Sequence, residues 1–296
     1  TCINYQTVSP PRFAEHLAWG DTGTVIFANS VVGARSNYEG GPAAVSAGLT
    51  GRVPEYGFHL AEQRRGTLLV ELRFQPRDWA DWGALGCWLG RRITNYWEVP
   101  VIVGEGLAPG VDDLKHLGAS LASYGSFAMF HLVGITPEAP SAEAALGGRP
   151  PAQKLVVTSE GLEEVYASFQ PAGSHADLVV FSAPQLGIHE IQRIARWLEG
   201  RRVHPQTQLI LTMSPQIKAE AVRNGYAATI EQAGGLLSAG VCFYVMTPEL
   251  MREKHGWQTL VTNSAKLANI IEGAGYNPVL RPTEVCLEAA CSGEIH

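Results

Sequence analysis

The sequence predicts an α/β protein: mainly parallel sheets covered by helices, arranged as three-layer α/β/α domains. Two observations predict it. Short apolar runs alternate with amphipathic segments through the second half of the chain, and hydrophobic residues make up 46% of its 296 residues against 17% charged. Strands buried on both faces read as continuous apolar runs, and crossover helices supply the cover.

In the first half, "GTVIFANS" and "GTLLVELRF" read as strands. "ADWGALGCWLGRRI" reads as a helix burying Trp82, Leu85, Trp88 and Leu89, with Cys87 inside it. "VPVIVGEG" reads as a strand, "GVDDLKHLGASLASYG" as a helix, and "SFAMFHLVGI" as a further strand. The Pro/Ala/Gly-rich "TPEAPSAEAALGGRPPAQ" marks a boundary, giving a first domain over 1–140, a linker over 141–153 and a second domain over 154–296. That second domain opens with the strand "KLVVTS" and the helix "EGLEEVYASF", followed by the strand "ADLVVFSAP". "GIHEIQRIARWLEG" places Ile188, Ile191, Ile194, Ala195 and Leu198 on one helical face. "TQLILTMS", "PQIKAEAVRNG", "GVCFYV" and "TLVTNSAKLANIIEGAG" continue as strand, helix, strand, and strand then helix.

A net charge of −6 without a Lys/Arg cluster gives no support to nucleic acid or an anionic membrane as partner. No apolar run is long enough to span a bilayer. The chain begins at Thr1 without a basic-then-apolar pattern, which reads as an internal start. Cys2, Cys87, Cys242, Cys286 and Cys291 are too irregularly spaced for a disulfide framework, so a reduced, cytoplasmic setting is expected.

Ligands of parallel sheets sit beyond the carboxyl ends of the strands. Ser182, Gln185, Thr212, Ser214, Cys242, Asn263, Ser264 and Lys266 fall at such positions, where Ser, Thr and Asn also serve as helix caps. Lys266 lies near a helix N-terminus, an unfavourable place for a cation unless an anion is bound. "VIVGEGLAPG" spaces its glycines as GxGxxxG, which is not the dinucleotide fingerprint.

The stretch from Asn29 to Leu60 is Gly- and Pro-rich, yet it embeds Arg35 and Glu39 among small residues. Arg35 is suited to a bidentate grip on a carboxylate or phosphate. Asn29, Ser30, Ser36, Asn37 and Glu39 supply further polar groups, so 29–60 is expected to be a substrate cradle. His59 reads as structural.

With these residues in view the chain resembles the aconitase X family, the compact branch of the aconitase superfamily. The carrying segments are "TCINY", "AWGDTGTVIFANSVVGARSNYEGGPAAVSAGLTGRVPEYGFHL", "LKHLGASLASYGSFAMFHLVGITPEAP", "VTNSAK" and "EVCLEAACSG". The resemblance implies an aconitase-superfamily-like fold and a hydro-lyase acting on a small 3-hydroxy carboxylic acid. The bacterial-type "WGDTGTV" favours cis-3-hydroxy-L-proline, dehydrated to pyrroline-2-carboxylate; mevalonate 5-phosphate is the alternative substrate. It also implies iron, as a [2Fe-2S] or [4Fe-4S] iron–sulfur cluster or mononuclear iron, held by Cys2, Cys242 and Cys286, and a small swivelling-domain subunit as partner. Asn29, Ser30, Arg35, Ser36, Asn37 and Glu39 would bind substrate, with Ser264 and Lys266 as in-chain catalytic groups. Two departures stand out: the family's "DTC" Asp and Thr are Gly240 and Val241, and its "CPH" reads with Ala183 and Gln185 in place of Cys and His. They support a reading of another class, a metal-free binding or assembly subunit.

Overall fold

The computed structural model describes residues 2–295, so Thr1 and His296, the outer ends of the two expected domains, lie outside the described residues. Two compact units result. One comprises Cys2, Ile3, 77–84 and 164–295; the other comprises 4–76 and 85–163.

The second of these holds a parallel sheet ordered β3-β2-β1-β4, from β1 (Leu68–Leu72), β2 (Pro100–Gly104), β3 (His131–Leu132) and β4 (Gln153–Val157). β4 pairs with β1 in parallel, Leu68 opposite Gln153. The first strand assigned to the second domain therefore belongs to the first sheet, and the compact unit runs to Glu163 rather than 140. The Pro/Gly-rich stretch before it is a crossover carrying the one-turn helix Ala142–Ala145, capped by Ser141, whose Oγ accepts from Ala144 N at 3.1 Å.

"GTVIFANS" is not a strand. It forms helix α1 (Thr22–Phe27) continued by a π-helical turn, Ala28–Val32. Asp21 decides the matter: its Oδ1 accepts from Thr24 N at 3.0 Å and from Thr24 Oγ1 at 2.9 Å. Such a cap is worth about 1 kcal/mol, enough to offset the weak helix preference of Val25 and Ile26. Val25, Ile26, Phe27 and Ala28 are buried where α1 packs on helix α3 (Val111–Gly125). Gly33 ends the turn at φ 75°, and a Cβ there would lie 2.5 Å from the Phe13 ring. Helix α2 (Gly41–Thr50) follows and buries none of its residues.

The other unit is a doubly wound parallel sheet ordered β7-β6-β5-β8-β9. Its strands are β5 (Leu178–Leu186), β6 (Gln208–Met213), β7 (Leu236–Ala239), β8 (Thr259–Thr262) and β9 (Asn277–Leu280). β5 is buried along its whole length, as a central strand covered on both faces must be. The expected helix over "GIHEIQRIARWLEG" forms as Ile188–Leu198, with Ile191, Ile194, Ala195 and Leu198 buried. "GVCFYV" is not a strand: β7 ends before Gly240 (φ 85°), and Cys242 begins a 3-10 turn over Phe243–Val245. Strand order reverses between β5 and β8, which makes their carboxyl ends the switch point of this sheet.

Candidate functional site

Residues 29–60 fold as a series of short elements in the four-stranded unit. After the π turn, residues 33–39 run extended beside residues 14–19. Arg35 N donates to Glu15 O at 2.8 Å, Leu17 N to Arg35 O at 2.8 Å, and Glu39 N to Trp19 O at 2.9 Å. This pairing sets His16 opposite Arg35.

The neutral groups expected to contact substrate are committed to that scaffold. Asn29 Nδ2 donates to Ser36 O and Ala128 O, both at 2.9 Å, and Ser30 Oγ accepts from Phe130 N at 2.9 Å. Ser36 Oγ donates to Asn37 O at 2.8 Å. Asn37 Oδ1 accepts from Phe58 N at 2.9 Å and from Tyr96 Oη at 3.0 Å, while its Nδ2 donates to Tyr56 O at 3.2 Å. Beneath them Arg64, buried and paired with Glu138, donates from Nη2 to Asn29 O at 2.8 Å and from Nη1 to Phe58 O at 3.2 Å. Buried polar groups satisfied in this way hold shape and offer little to a ligand.

The charged groups behave differently. Arg35 Nη1 donates to His59 O at 2.9 Å, but its buried Nε has no hydrogen-bond partner. Glu39 Oε1 stands 3.9 Å from His59 Nε2, and neither atom has a hydrogen bond. On the other side of the ring, His59 Nδ1 is 2.9 Å from His16 Nδ1, with the rings stacked at 5.0 Å. Burial lowers the His59 pKa from 6.5 to about 4, with His16, Arg64 and Arg35 adding to the effect. These groups border a cleft of about 470 Å³ lined by His16, Arg35, Arg52, Glu55 and His59 among others. Two guanidiniums beside two imidazoles suit an anionic ligand that exchanges a proton. His16 and Arg52 carry no local sequence signal: a pairing distant in sequence sets His16 opposite Arg35, and Arg52 joins them only as lining of the folded cleft. A larger opening, about 650 Å³, lies by Glu71, Arg73, Gln75 and Gly104 at the ends of β1 and β2; its Arg73 is already paired with Glu71 at 2.9 Å.

In the five-stranded unit Ser264 is a helix cap: its Oγ accepts from Leu267 N at 3.1 Å and donates to Ala183 O at 2.7 Å. Lys266 is half-buried in the first turn of the helix that Ser264 caps, Ala265–Ile271. Two of the three expected iron ligands converge on one short segment. Gln185 N donates to Cys2 Sγ at 3.3 Å, and Ser182 Oγ donates to Cys242 Sγ at 3.6 Å. Gln185 Nε2 also donates to Val241 O at 2.8 Å, tying the Cys242 loop to the same place. Cys286 does not join them. It is fully buried, its Sγ donates to Arg281 O at 3.3 Å, and burial together with the charge of Asp78 pushes the thiol well above its ordinary range. A metal needs the thiolate, which that setting opposes. Among the described residues no three His, Cys, Asp or Glu side chains form a group that could hold a metal ion. The expected set of Cys2, Cys242 and Cys286 is thus not gathered into one group among the described residues. Ala183 lies between the two anchor residues, Ser182 and Gln185, at the position where the family resemblance expects the cysteine of "CPH". Cys87 is packing: burial raises its thiol to about 11.

Comparison with known proteins agrees with this architecture. The first, second and third domains of aconitase X match residues 1–62, 66–167 and 176–292. The phosphomevalonate dehydratase large subunit of Methanothermobacter thermautotrophicus is 36% identical, over 92% of this chain and 65% of its own length. The cis-3-hydroxy-L-proline dehydratase of Pseudomonas aeruginosa is 35% identical, over 99% of this chain and 50% of its own. The chain thus spans one half to two thirds of the length of these relatives. The crystal structure of Thermococcus kodakaraensis aconitase X in its holo form superposes with a TM-score of 0.87 at 32% identity, over 98% of this chain and 72% of that one. Among the described residues no helix is long and apolar enough to cross a membrane. With all three domains matched in order and the fold shared along almost its whole length, this chain belongs to the aconitase X family.

Proposed function

We propose that this chain is the large-subunit part of a hydro-lyase that removes water from a small 3-hydroxy carboxylic acid, with cis-3-hydroxy-L-proline as its substrate. The observation that carries the reading is the cleft of the four-stranded unit, where Arg35 and Arg52 accompany His16 and His59. Elimination breaks the C2–H bond beside the carboxylate and the C3–O bond, and negative charge builds on the carboxylate as the proton leaves. Arg35, whose Nε is unpartnered, is the group to hold that carboxylate, and its charge acts where the new charge develops. Glu39, Ser264 and Lys266 remain in the reading as groups of the enzyme, Ser264 through the helix it caps. A small swivelling-domain subunit completes the protein, in keeping with the large-subunit names of several relatives.

One observation favours a second substrate. Arg52 adds a second guanidinium to the cleft, and a phosphorylated 3-hydroxy acid such as mevalonate 5-phosphate would use it. As for iron, this chain supplies Cys2 and Cys242 as thiols set against one short segment, Ser182 to Gln185, and no step here is assigned to a cluster.

The test is anaerobic co-expression with the small subunit, followed by assay of both acids together with bound iron and sulfide. Dehydration of cis-3-hydroxy-L-proline supports the reading. Turnover of mevalonate 5-phosphate alone moves the substrate to the second choice. A folded complex that turns over neither sinks the hydro-lyase reading and leaves a binding or assembly subunit.

A further inference from the structure

We propose that His16 is the base that takes the C2 proton, held in its working tautomer by His59 and Glu39; this rests on the hydro-lyase reading above. The geometry leaves few choices. The Nδ1···Nδ1 contact of 2.9 Å between His16 and His59 admits one proton between the two nitrogens. If His59 donated it, the bare Nε2 lone pair of His59 would face the Glu39 carboxylate at 3.9 Å, in a buried setting that offers either atom no other partner. With the proton on His16 instead, His59 presents Nε2–H to Glu39, and both contacts become favourable. His16 then carries Nδ1–H and keeps Nε2 as a free acceptor. It is the exposed member of the three, on the cleft that Arg35, Arg52 and Glu55 also line. A second, adjoining cleft of about 350 Å³ also reaches His16 and Arg52.

His16 gains a proton at Nε2 without breaking the bond to His59, so the relay survives the catalytic cycle. The same contact bars a proton from His59 Nδ1 while His16 holds its own. Glu39 stabilises the cationic His16 through the relay, against the opposing charges of Arg35, Arg52 and Arg64. In the reaction the C2–H electron pair becomes the C2=C3 bond and the C3–O pair leaves with hydroxide; in the cis acid that hydroxyl lies on the face opposite the C2 hydrogen, so the hydroxide takes a proton from solvent to give water while His16 Nε2 returns its own to solvent. No electrons are gained or lost.

The experiment uses the complete complex with both candidate acids. His16→Gln should lower kcat by about 100- to 10,000-fold, with KM changed by less than about threefold, and should abolish exchange of the C2 hydrogen with D2O in parallel. His16→Gly with free imidazole should recover part of that loss, which guards against a folding artefact. Glu39→Gln should move the acid limb of the kcat/KM profile to lower pH, since it removes the charge that favours protonated His16; a merely structural role for Glu39 would not move it. Long-range proton–nitrogen spectra of histidine-labelled protein should show His16 protonated at Nδ1 in the wild type, and that preference should be lost in His59→Leu. A wild-type complex inactive on both acids overturns the hydro-lyase reading and the base with it. An active wild type whose His16→Gln retains turnover within tenfold overturns the base alone. His16 found protonated at Nε2 in the wild type overturns the relay whatever the kinetics show.

Discussion

Asn29 and Ser36 bind each other as two strands would: Asn29 Oδ1 accepts from Ser36 N at 2.9 Å and Asn29 Nδ2 donates to Ser36 O at 2.9 Å. A side-chain amide thus stands in for a backbone partner and fixes the bend that carries Arg35. Asn29 is fully buried and also donates to Ala128 O. Asn29→Ala should therefore destabilise the protein by about 2–4 kcal/mol, because it leaves the backbone of Ser36 and Ala128 unsatisfied in the interior. Denaturant midpoints of the variant measure this. A change below about 0.5 kcal/mol would return Asn29 to the role of a substrate contact with little structural duty.

Arg35 answers to the opposite test. It spends one bond on the His59 carbonyl and keeps a buried Nε unpartnered. Arg35→Ala should cost kcat/KM about 100- to 1,000-fold, the loss typical of one charge-stabilising donor, while the thermal midpoint falls only slightly. Arg35→Lys should recover little, because an ammonium lacks the planar fork. Steady-state kinetics beside a melting curve separates the cases; an active Arg35→Ala would remove the cleft from the substrate path.

How far the site was legible in the sequence follows from the range of the contacts that build it. The alternation from Ile188 to Leu198 is local periodicity, and so is the capping signature of Ser264; both could be read directly. The helix at Thr22–Phe27 was hidden because Val25, Ile26 and Phe27 favour strands, and only the bond from Thr24 N to Asp21 reverses that preference. The neutral cradle residues read as substrate contacts, because sequence does not reveal that Asn29 and Asn37 spend their amides on backbone. His16 and Arg52, which line the proposed cleft, leave no sequence signal for a related reason. What joins His16 to Arg35 is a pairing between 14–19 and 33–39, which leaves no periodic trace in either segment.

The thiols give a prediction about composition rather than rate. Ser182 contacts Cys242 and Gln185 contacts Cys2, with Ala183 between them. Ala183→Cys should supply a third thiol at that segment and raise the iron and sulfide retained after anaerobic reconstitution, while Cys286→Ser should leave the retained amounts unchanged. Metal analysis of the desalted protein decides it. Iron lost on changing Cys286 would restore the three-cysteine set expected from the family.

The His59 ring also sets how stability responds to acid. Burial is the first cause of its lowered pKa, and the cationic Arg64 and Arg35 add to it, so the folded protein keeps the ring neutral to about 4 against an ordinary 6.5. The sign follows from proton binding: between those values the unfolded chain takes up a proton that the folded one refuses. The contribution of His59 is therefore fully present above about pH 6.5, is lost as pH falls towards about 4, and is constant below that, with a slope of at most about 1.4 kcal/mol per pH unit. Denaturant midpoints across that range should fall more steeply for the wild type than for His59→Gln, whose amide does not titrate. Parallel curves for the two proteins would mean that folding leaves the His59 pKa at its ordinary value. On becoming charged, His59 would then donate from Nδ1 to His16 Nδ1, and Glu39 would be its ion-pair partner rather than the end of a relay.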